Sequence, residues 1–131
     1  MMYVWIMIGS ALGGAARYWC SGFAANHFGE TFPMGTLLVN VTGSFIIGFF
    51  ATLTGPDGRL LVRTETRQFV MVGICGGYTT FSSFSLQTLD LAREGRWGPA
   101  LGNIGLSVAL CLLAVTAGYA AAAWINEAKS P

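Results

Sequence analysis

Long apolar stretches alternate with short polar segments along the whole chain. Four of these stretches contain no Asp, Glu, Lys or Arg: residues 1–16, 31–56, 68–89 and 97–126. An α-helix needs about 20 apolar residues to cross the hydrocarbon core of a membrane, so each stretch is near or above the length of a span. The pattern predicts an all-α membrane protein, one domain over residues 1–131, with four transmembrane helices at about residues 3–26, 33–54, 67–92 and 98–125.

The prolines agree with this division of the chain. Pro33 and Pro99 lie at the starts of the second and fourth spans, in a first helical turn, where a missing N–H costs nothing. Pro56 follows the second span. The connections between the predicted spans are short, which favours an up-down bundle of antiparallel helices.

The composition excludes several classes of soluble protein. Of the 131 residues, 53% are apolar and 10% are charged, whereas a soluble domain carries roughly 25% charged residues. Four spans leave no room for a Rossmann unit, and a net charge of +1 without a basic patch argues against nucleic-acid binding. His27 is the only histidine and the three cysteines form no CxxC pair, so the sequence predicts neither a zinc site nor an enzyme.

The basic residues are divided almost evenly between the two ends of the predicted bundle. The end that holds both termini carries four of them: Arg59, Arg63, Arg67 and Lys129. The opposite end carries two or three: Arg93, Arg96 and, toward that end of the first span, Arg17. A membrane protein with one fixed orientation normally shows a clear excess on its cytoplasmic side. The near-balance predicts insertion in both orientations and an antiparallel homodimer.

Three pairs of glycines have the spacing that lets membrane helices approach closely. The pairs are Gly9 with Gly13, Gly73 with Gly77, and Gly98 with Gly102. Packing within one subunit is the simpler explanation for any single pair. Together the pairs exceed what four helices need to pack among themselves, so we expect some of them to form subunit contacts.

Polar residues inside the spans are candidates for function, because polar groups are costly in lipid. Arg17 is the only charged residue of the first span, and it either extends to the lipid headgroups or places a positive charge at an aqueous mouth. Two further polar faces run along single helices: Thr36 with Asn40, and Asn103 with Ser107 and Cys111. Each face either holds helices together or lines an ion path, and the sequence leaves both possibilities open.

The third span contains the most specific pattern. Gly76 and Gly77 precede a cluster of hydroxyl residues: Tyr78, Thr79, Thr80, Ser82 and Ser83. Adjacent glycines cost roughly 2 kcal/mol in helix propensity, which favours a helix broken in mid-membrane over a helix that is only kinked. A break frees backbone carbonyls that can hold Na⁺. Phe81 and Phe84 project in similar directions, and the positive edges of their rings can face an anion.

Three motifs stand in order along the chain: Gly-x-x-x-Arg-Tyr at 13–18, Gly-Thr-Leu-x-Val-Asn at 35–40, and Gly-Gly-x-Thr-Thr-Phe-Ser-x-Phe-Ser at 76–85. In these motifs, and in its length and span layout, the sequence resembles the Fluc-type fluoride channels, also called CrcB-like proteins. The resemblance implies a passive, fluoride-specific channel of the cell inner membrane that lowers cytoplasmic fluoride. It also implies an antiparallel, dual-topology homodimer with two pores.

The resemblance implies roles for individual residues as well. The backbone carbonyls of Gly76 and Thr79, from both subunits, would hold a structural Na⁺ that is not transported. Arg17 matches the family's vestibule arginine. The fluoride pathway would be lined by Asn40, Phe81, Phe84, Ser107, Thr36 and Thr80. The family often has an aromatic residue or a serine where this chain has Asn103 and Cys111, so these two residues receive no role from it.

Two other functions stay open at this point. A small multidrug-type exporter also has four short spans, but proton-coupled export of cations needs a carboxylate inside the membrane. Asp90 lies near the end of a span, and Glu30 and Glu127 lie outside the spans. A non-conducting assembly subunit would explain the glycine pairs, but it gains nothing from a broken third helix.

Overall fold

The structure of this protein is a computed structural model, and it describes residues 1–128. Lys129, which was counted in the charge comparison, lies outside the described residues. The described chain is helical, without strands, which confirms the all-α prediction. Its elements are α1 (Met2–Phe28), α2 (Met34–Leu53), α3 (Thr64–Gln68), a π-helix (Phe69–Cys75), α4 (Gly76–Tyr78), α5 (Phe81–Arg93) and α6 (Trp97–Ala128).

The helix ends lie within a few residues of their predicted positions. Pro33 is the N-cap of α2, and its fixed φ of −75° leads directly into the helix. Gly29, which follows α1, has a φ of 77°, a conformation that glycine adopts without steric cost. Gly95, between α5 and α6, has the same φ. Both positions end a long helix so that the chain can reverse.

Three segments are long and apolar enough to cross a membrane: Met34–Leu53, Thr64–Arg93 and Trp97–Ala128. The first helix is long enough, at 27 residues, but Arg17 and several glycines and tryptophans make it less apolar. A fourth span therefore stays a prediction. Many large apolar side chains are exposed on the described surface, such as Tyr3, Trp19, Leu101 and Trp124. This surface suits contact with lipid or with another copy of the chain.

The third predicted span is interrupted, but not at its paired glycines. Gly76 is helical, with φ −64° and ψ −37°. The backbone becomes extended at Thr79, with φ −84° and ψ 157°, and remains extended at Thr80 before α5 begins at Phe81. We call Thr79 and Thr80 the break. The expectation of a broken helix is met, two to three residues later than the glycines indicated.

Two of the three glycine pairs pack against each other within the chain. Gly9 and Gly13 of α1 face Gly73 and Gly77 of the third segment, and a Cβ at Gly9 would come 2.7 Å from the Phe69 carbonyl oxygen. This close approach explains why the glycines are needed although they do not break the helix. Gly98 and Gly102 of α6 have open space where a Cβ would stand, so they form no such contact inside the chain.

Alanine at Gly13 is expected to destabilise the protein, whereas alanine at Gly14 is not. A Cβ at Gly13 would overlap the Ile74 carbonyl oxygen and lie 2.8 Å from the Tyr78 amide nitrogen, and neither backbone atom can move freely. A Cβ at Gly14 would meet no atom within 4 Å. We expect Gly13→Ala to lower the free energy of unfolding by about 1–3 kcal/mol. Gly14→Ala should leave it unchanged or raise it by up to about 1 kcal/mol.

Thermal unfolding of the two variants in the same detergent measures this difference. Because both substitutions add one methyl group to neighbouring positions of one helix, helix propensity is matched. Equal midpoints for the two variants would contradict the close packing of α1 on the third segment.

The C-terminal end of α2 is capped by Arg67. Its Nε donates to the Thr54 hydroxyl at 3.1 Å, and its terminal NH₂ donates to the Ala51 carbonyl oxygen at 3.1 Å. A cation at a helix C-terminus is favourable because the last carbonyls lack partners within the helix. Asn126 of α6 also binds this region, because its Nδ2 donates to the Thr52 carbonyl oxygen at 3.2 Å. Arg67 thus joins the third segment to α2.

Candidate functional site

Asn40 holds the break through both ends of its amide. Its Nδ2 donates to the Thr80 carbonyl oxygen at 3.0 Å, and its Oδ1 accepts the Thr80 N–H at 2.7 Å. Asn40 lies in the middle of α2, so this pair joins two membrane segments. A peptide group that leaves a helix inside a membrane must find other partners, and here one side chain satisfies the backbone donor and acceptor of one residue. One N–H of the Asn40 amide remains available for another acceptor.

The same hydrogen bonds leave particular carbonyl oxygens without their helical donors. In a continuous helix the Thr80 N–H would donate to Gly76, but it donates to Asn40. The Ser83 N–H would donate to Thr79, but it donates to the Thr80 hydroxyl at 3.1 Å. These are the two carbonyls, Gly76 and Thr79, that the family resemblance implies as ligands for a cation, and they can offer oxygen atoms.

Arg17 reaches the other side of the break from α1. Its Nε donates to the Gly77 carbonyl oxygen at 3.1 Å, and the side chain is half-buried. The ion pairs within residues 1–128 are Arg63 with Glu65 and Arg96 with Glu94, so Arg17 has no carboxylate partner there. Arg17 thus turns its Nε toward the break and forms no ion pair among the described residues.

A cavity of about 490 Å³, which we call the vestibule, lies on the Arg17 side of the break. Its polar lining includes Arg17, Thr36, Thr80, Ser83 and Gln87. Four further charged residues also line it: the exposed Glu30, Asp90 and Glu94, and the half-buried Arg96. The vestibule is thus a polar cavity lined by charges of both signs, and Arg17 is the charged residue that reaches the break.

Gln87 was missed by the sequence analysis, and Ser83 was named there only as a member of the hydroxyl cluster. The Gln87 Oε1 is buried and has no hydrogen-bond partner among the described residues. A signal was present, because Thr80, Ser83 and Gln87 are three and four residues apart and share one face of a helix. The family motif ends at Ser85, and this face was not followed beyond it.

A second cavity, of about 420 Å³, lies on the other side of the break, and we call it the groove. It is mainly apolar, and its lining includes Asn40, Gly76, Thr79, Thr80, Phe81, Phe84, Ser107 and Cys111. Thr80 lines both the groove and the vestibule. The predicted pathway residues are therefore brought together, with Thr36 in the vestibule and the others at the break or along the groove.

The two phenylalanines of the groove differ greatly in exposure. The Phe81 residue is 77% exposed, whereas Phe84 is only 9% exposed. Their ring centroids are 5.3 Å apart and the ring planes are inclined by 48°. Phe84 belongs to the packed core of the chain, and Phe81 presents its ring to whatever covers the groove.

The polar residues of α6 have two different environments. Asn103 is 1% exposed; its Nδ2 donates to the Thr88 hydroxyl at 2.9 Å, and its Oδ1 accepts the Ser107 hydroxyl at 3.3 Å. Asn103 therefore joins α5 to α6 and lines neither cavity. Ser107 and Cys111 line the groove. The polar face of α6 thus serves packing at one end and the groove at the other.

No cluster of three or more His, Cys, Asp or Glu side chains that could hold a metal occurs in the described part of the chain. A cation at this site would depend on backbone oxygens. The carbonyls of Gly76 and Thr79 fit that requirement, because both lack their helical donors and both residues line the groove. Oxygen atoms are suitable ligands for Na⁺.

Comparison with known proteins finds relatives that match nearly the whole chain. The family model described as "CrcB-like protein, Camphor Resistance (CrcB)" matches residues 4–119. A relative from Methylocella silvestris is 61% identical over 129 residues, covering 98% of each chain. A relative from Opitutus terrae is 59% identical over 128 residues, covering 98% of this chain and 97% of its own. One from Rhodospirillum rubrum is 56% identical over 127 residues, covering 97% of this chain and 98% of its own.

All three relatives are named "Fluoride-specific ion channel FluC". The family is one of ion channels and not of enzymes, in agreement with the sequence prediction. With a match over 116 residues of the chain and near-complete coverage of relatives at these identities, the chain belongs to the CrcB-like family.

Proposed function

We propose that this chain forms a fluoride-selective channel that lets the anion leave the cell passively across the inner membrane. Cytoplasmic fluoride would thereby be lowered without ATP. The name of the relatives supports fluoride as the ion. The observation that carries the proposal is the break at Thr79 and Thr80, where α1 and α2 supply donors to an interrupted helix.

The donors around the break suit a small, strongly hydrated anion. Such an ion enters a narrow path only if protein donors replace its water, and it must bind weakly enough to leave. The vestibule offers the guanidinium of Arg17, which forms no ion pair among the described residues, and the hydroxyl of Thr36. The free N–H of Asn40 follows at the break, beside the Thr80 hydroxyl, which donates to the Ser83 hydroxyl at 3.1 Å and would have to turn to face an anion.

Beyond the break the proposed path continues along the groove. Phe81 and Phe84 would turn the positive edges of their rings toward the anion, which attracts it less strongly than a full charge. The Ser107 hydroxyl lines the same groove. A path of few charges and weak donors allows fluoride to pass rather than to be trapped.

We further propose that two copies associate in antiparallel orientation, each contributing one pore. Phe81 is exposed in the single chain, and Gly98 and Gly102 of α6 have open space beside them, as expected for surfaces that a second copy covers. The near-balance of basic residues agrees with insertion in both orientations. Gly76 and Thr79 of both copies would then supply carbonyl oxygens to one structural Na⁺, which is held and not transported.

Fluoride flux from liposomes that contain the purified protein tests the proposed function. Vesicles loaded with potassium fluoride are diluted into fluoride-free buffer, and a fluoride electrode follows release. A passive anion channel leaves positive charge behind, so we expect fast release only after valinomycin lets K⁺ follow. Vesicles loaded with potassium chloride, read with a chloride electrode, should release little anion under the same conditions.

Three results would contradict the proposal. Release no faster than that from protein-free vesicles would favour a non-conducting assembly subunit. Fast release without valinomycin would indicate electroneutral coupling to another ion. Equal release of chloride and fluoride would contradict selectivity. A proton-coupled exporter of the multidrug type is already disfavoured, because Asp90 is exposed at the vestibule near the end of the third span, and the described spans hold no carboxylate deeper than that.

A further inference from the structure

We propose that Arg17 is a positioning residue for the break. Its Nε anchors the Gly77 carbonyl and thereby fixes the neighbouring peptide groups whose oxygens would hold Na⁺. This inference rests on the proposed function, because it concerns the cation site of that function. It gives Arg17 a role beyond that of a charge in the vestibule.

The position of Gly77 makes such an anchor necessary. The helical run Thr64–Tyr78 ends directly after it, so its carbonyl is among the last of the helix and lacks a backbone donor. The bond from Arg17 at 3.1 Å replaces that donor with a cationic one. Positive charge at a helix C-terminus is stabilising, and a bond to a charged donor is stronger than one between neutral groups.

The two adjacent glycines increase the value of this anchor. The direction of the Gly76 carbonyl is set by the backbone torsions of Gly76 and Gly77, and glycine restricts those torsions less than any other residue. On one side the Ser10 backbone limits Gly77, because a Cβ there would lie 2.6 Å from the Ser10 oxygen. Arg17 restrains the Gly77 carbonyl itself through its hydrogen bond. Without that bond, the Gly76 oxygen could turn away from a cation.

Two side chains from different helices therefore brace opposite ends of the break. Arg17 of α1 holds the last turn before it, and Asn40 of α2 holds Thr80. The guanidinium can do this and still face the vestibule, because it has five N–H donors in a fixed plane and Nε uses only one. The bond to Gly77 uses the Nε–H alone, so the other four N–H groups stay available at the vestibule, and the delocalised charge is kept.

Arg17→Lys separates the two roles. Lysine keeps the positive charge but places its Cε methylene where arginine has the donating Nε, so the bond to Gly77 is lost. Fluoride flux is measured at increasing symmetric Na⁺, with N-methylglucamine as the replacement cation. We expect the half-saturating Na⁺ concentration to rise about tenfold, with flux restored at saturating Na⁺.

Arg67→Lys is the matched control. Arg67 also donates through Nε at 3.1 Å, but at the end of α2 and away from the break. We expect this variant to lower the unfolding temperature without changing the half-saturating Na⁺ concentration. An equal shift in both variants would mean that the effect is a general loss of stability, and the proposal would be wrong. An unchanged value in Arg17→Lys would also overturn it.

Hydrogen exchange provides a readout that does not depend on flux. Deuterium uptake by a peptide that covers residues 76–84 should increase in Arg17→Lys and stay at the wild-type level in Arg67→Lys. If wild-type flux does not respond to Na⁺, the sodium part of the proposed function fails, and the exchange comparison alone decides whether Arg17 positions the break. Equal uptake in the wild type and Arg17→Lys would then reject the positioning role.

Discussion

Asn40→Asp is expected to reduce fluoride flux by about 100-fold or more, because it replaces the donor that holds the break with an acceptor. The amide now donates to the Thr80 carbonyl oxygen and accepts the Thr80 N–H. An aspartate keeps the second bond and loses the first, so two oxygen atoms would face each other. Its negative charge would also stand on the proposed anion path, where it repels fluoride.

Asn126→Asp is the matched control for this change. Asn126 binds backbone in the same two-ended way, since its Oδ1 accepts the Arg59 N–H at 2.8 Å and its Nδ2 donates to the Thr52 carbonyl oxygen. It lies near the far end of α6 and lines neither cavity. We expect it to retain most of the flux, because it makes the same chemical substitution away from the break.

Lowering the pH should partly restore fluoride flux in the Asn40→Asp variant. A protonated carboxyl regains one O–H donor and loses its charge, so both defects are reduced as the pH falls through the pKa of the new carboxyl. Wild-type flux in Asn40→Asp at neutral pH would mean that Asn40 only holds helices together. Full loss in both Asn40→Asp and Asn126→Asp would show that charge anywhere in the bundle abolishes folding.

The helical segments could be predicted from the sequence because their cause is local. A stretch without charges, bounded by Pro33 or by loop glycines such as Gly29, indicates a helix of a given length whatever its neighbours are. The two glycine pairs that pack inside the chain, Gly9 with Gly13 and Gly73 with Gly77, could also be recognised from their four-residue spacing. Which surface they pack against is a tertiary property, and only the structure shows that α1 meets the third segment.

The position of the break depends on contacts that a sequence does not reveal. Propensity places it at Gly76 and Gly77, the weakest helix formers of the segment. Close packing of Gly77 on Ser10 keeps the glycines helical, and the bonds from Asn40, 40 residues away in the chain, move the interruption to Thr80. Arg17 illustrates the same limit, because its partner Gly77 is 60 residues away.

Residues of one predicted polar face have different surroundings in the structure. Asn103 packs α5 on α6, as the simpler explanation held, whereas Ser107 on the same face lines the groove. A helical repeat shows that residues share a side, but it cannot show where along that side a cavity begins. Gln87 could have been found, since it continues the face of Thr80 and Ser83.

Phe81→Ile and Phe84→Ile are both expected to reduce fluoride flux by about tenfold or more, but only the second should destabilise the chain. Both residues line the groove, and isoleucine keeps an apolar side chain while removing the positive ring edge. Phe81 is 77% exposed, so its ring contributes little to the packing of one chain. Phe84 is 9% exposed, and loss of its ring should lower the free energy of unfolding by about 1–2 kcal/mol.

Comparing flux with stability in the same preparations makes this pair informative. Phe23→Ile serves as the control, because Phe23 stacks on His27 of α1 with centroids 4.1 Å apart and lines neither cavity. Flux should stay near the wild-type value in this control. A stable Phe81→Ile variant with unchanged flux would remove the role of the ring edge, and Phe81 would then be an apolar residue that meets lipid or the second copy. A variant that is stable, still forms the dimer and has reduced flux would assign the ring a part in conduction, since neither folding nor association then accounts for the loss.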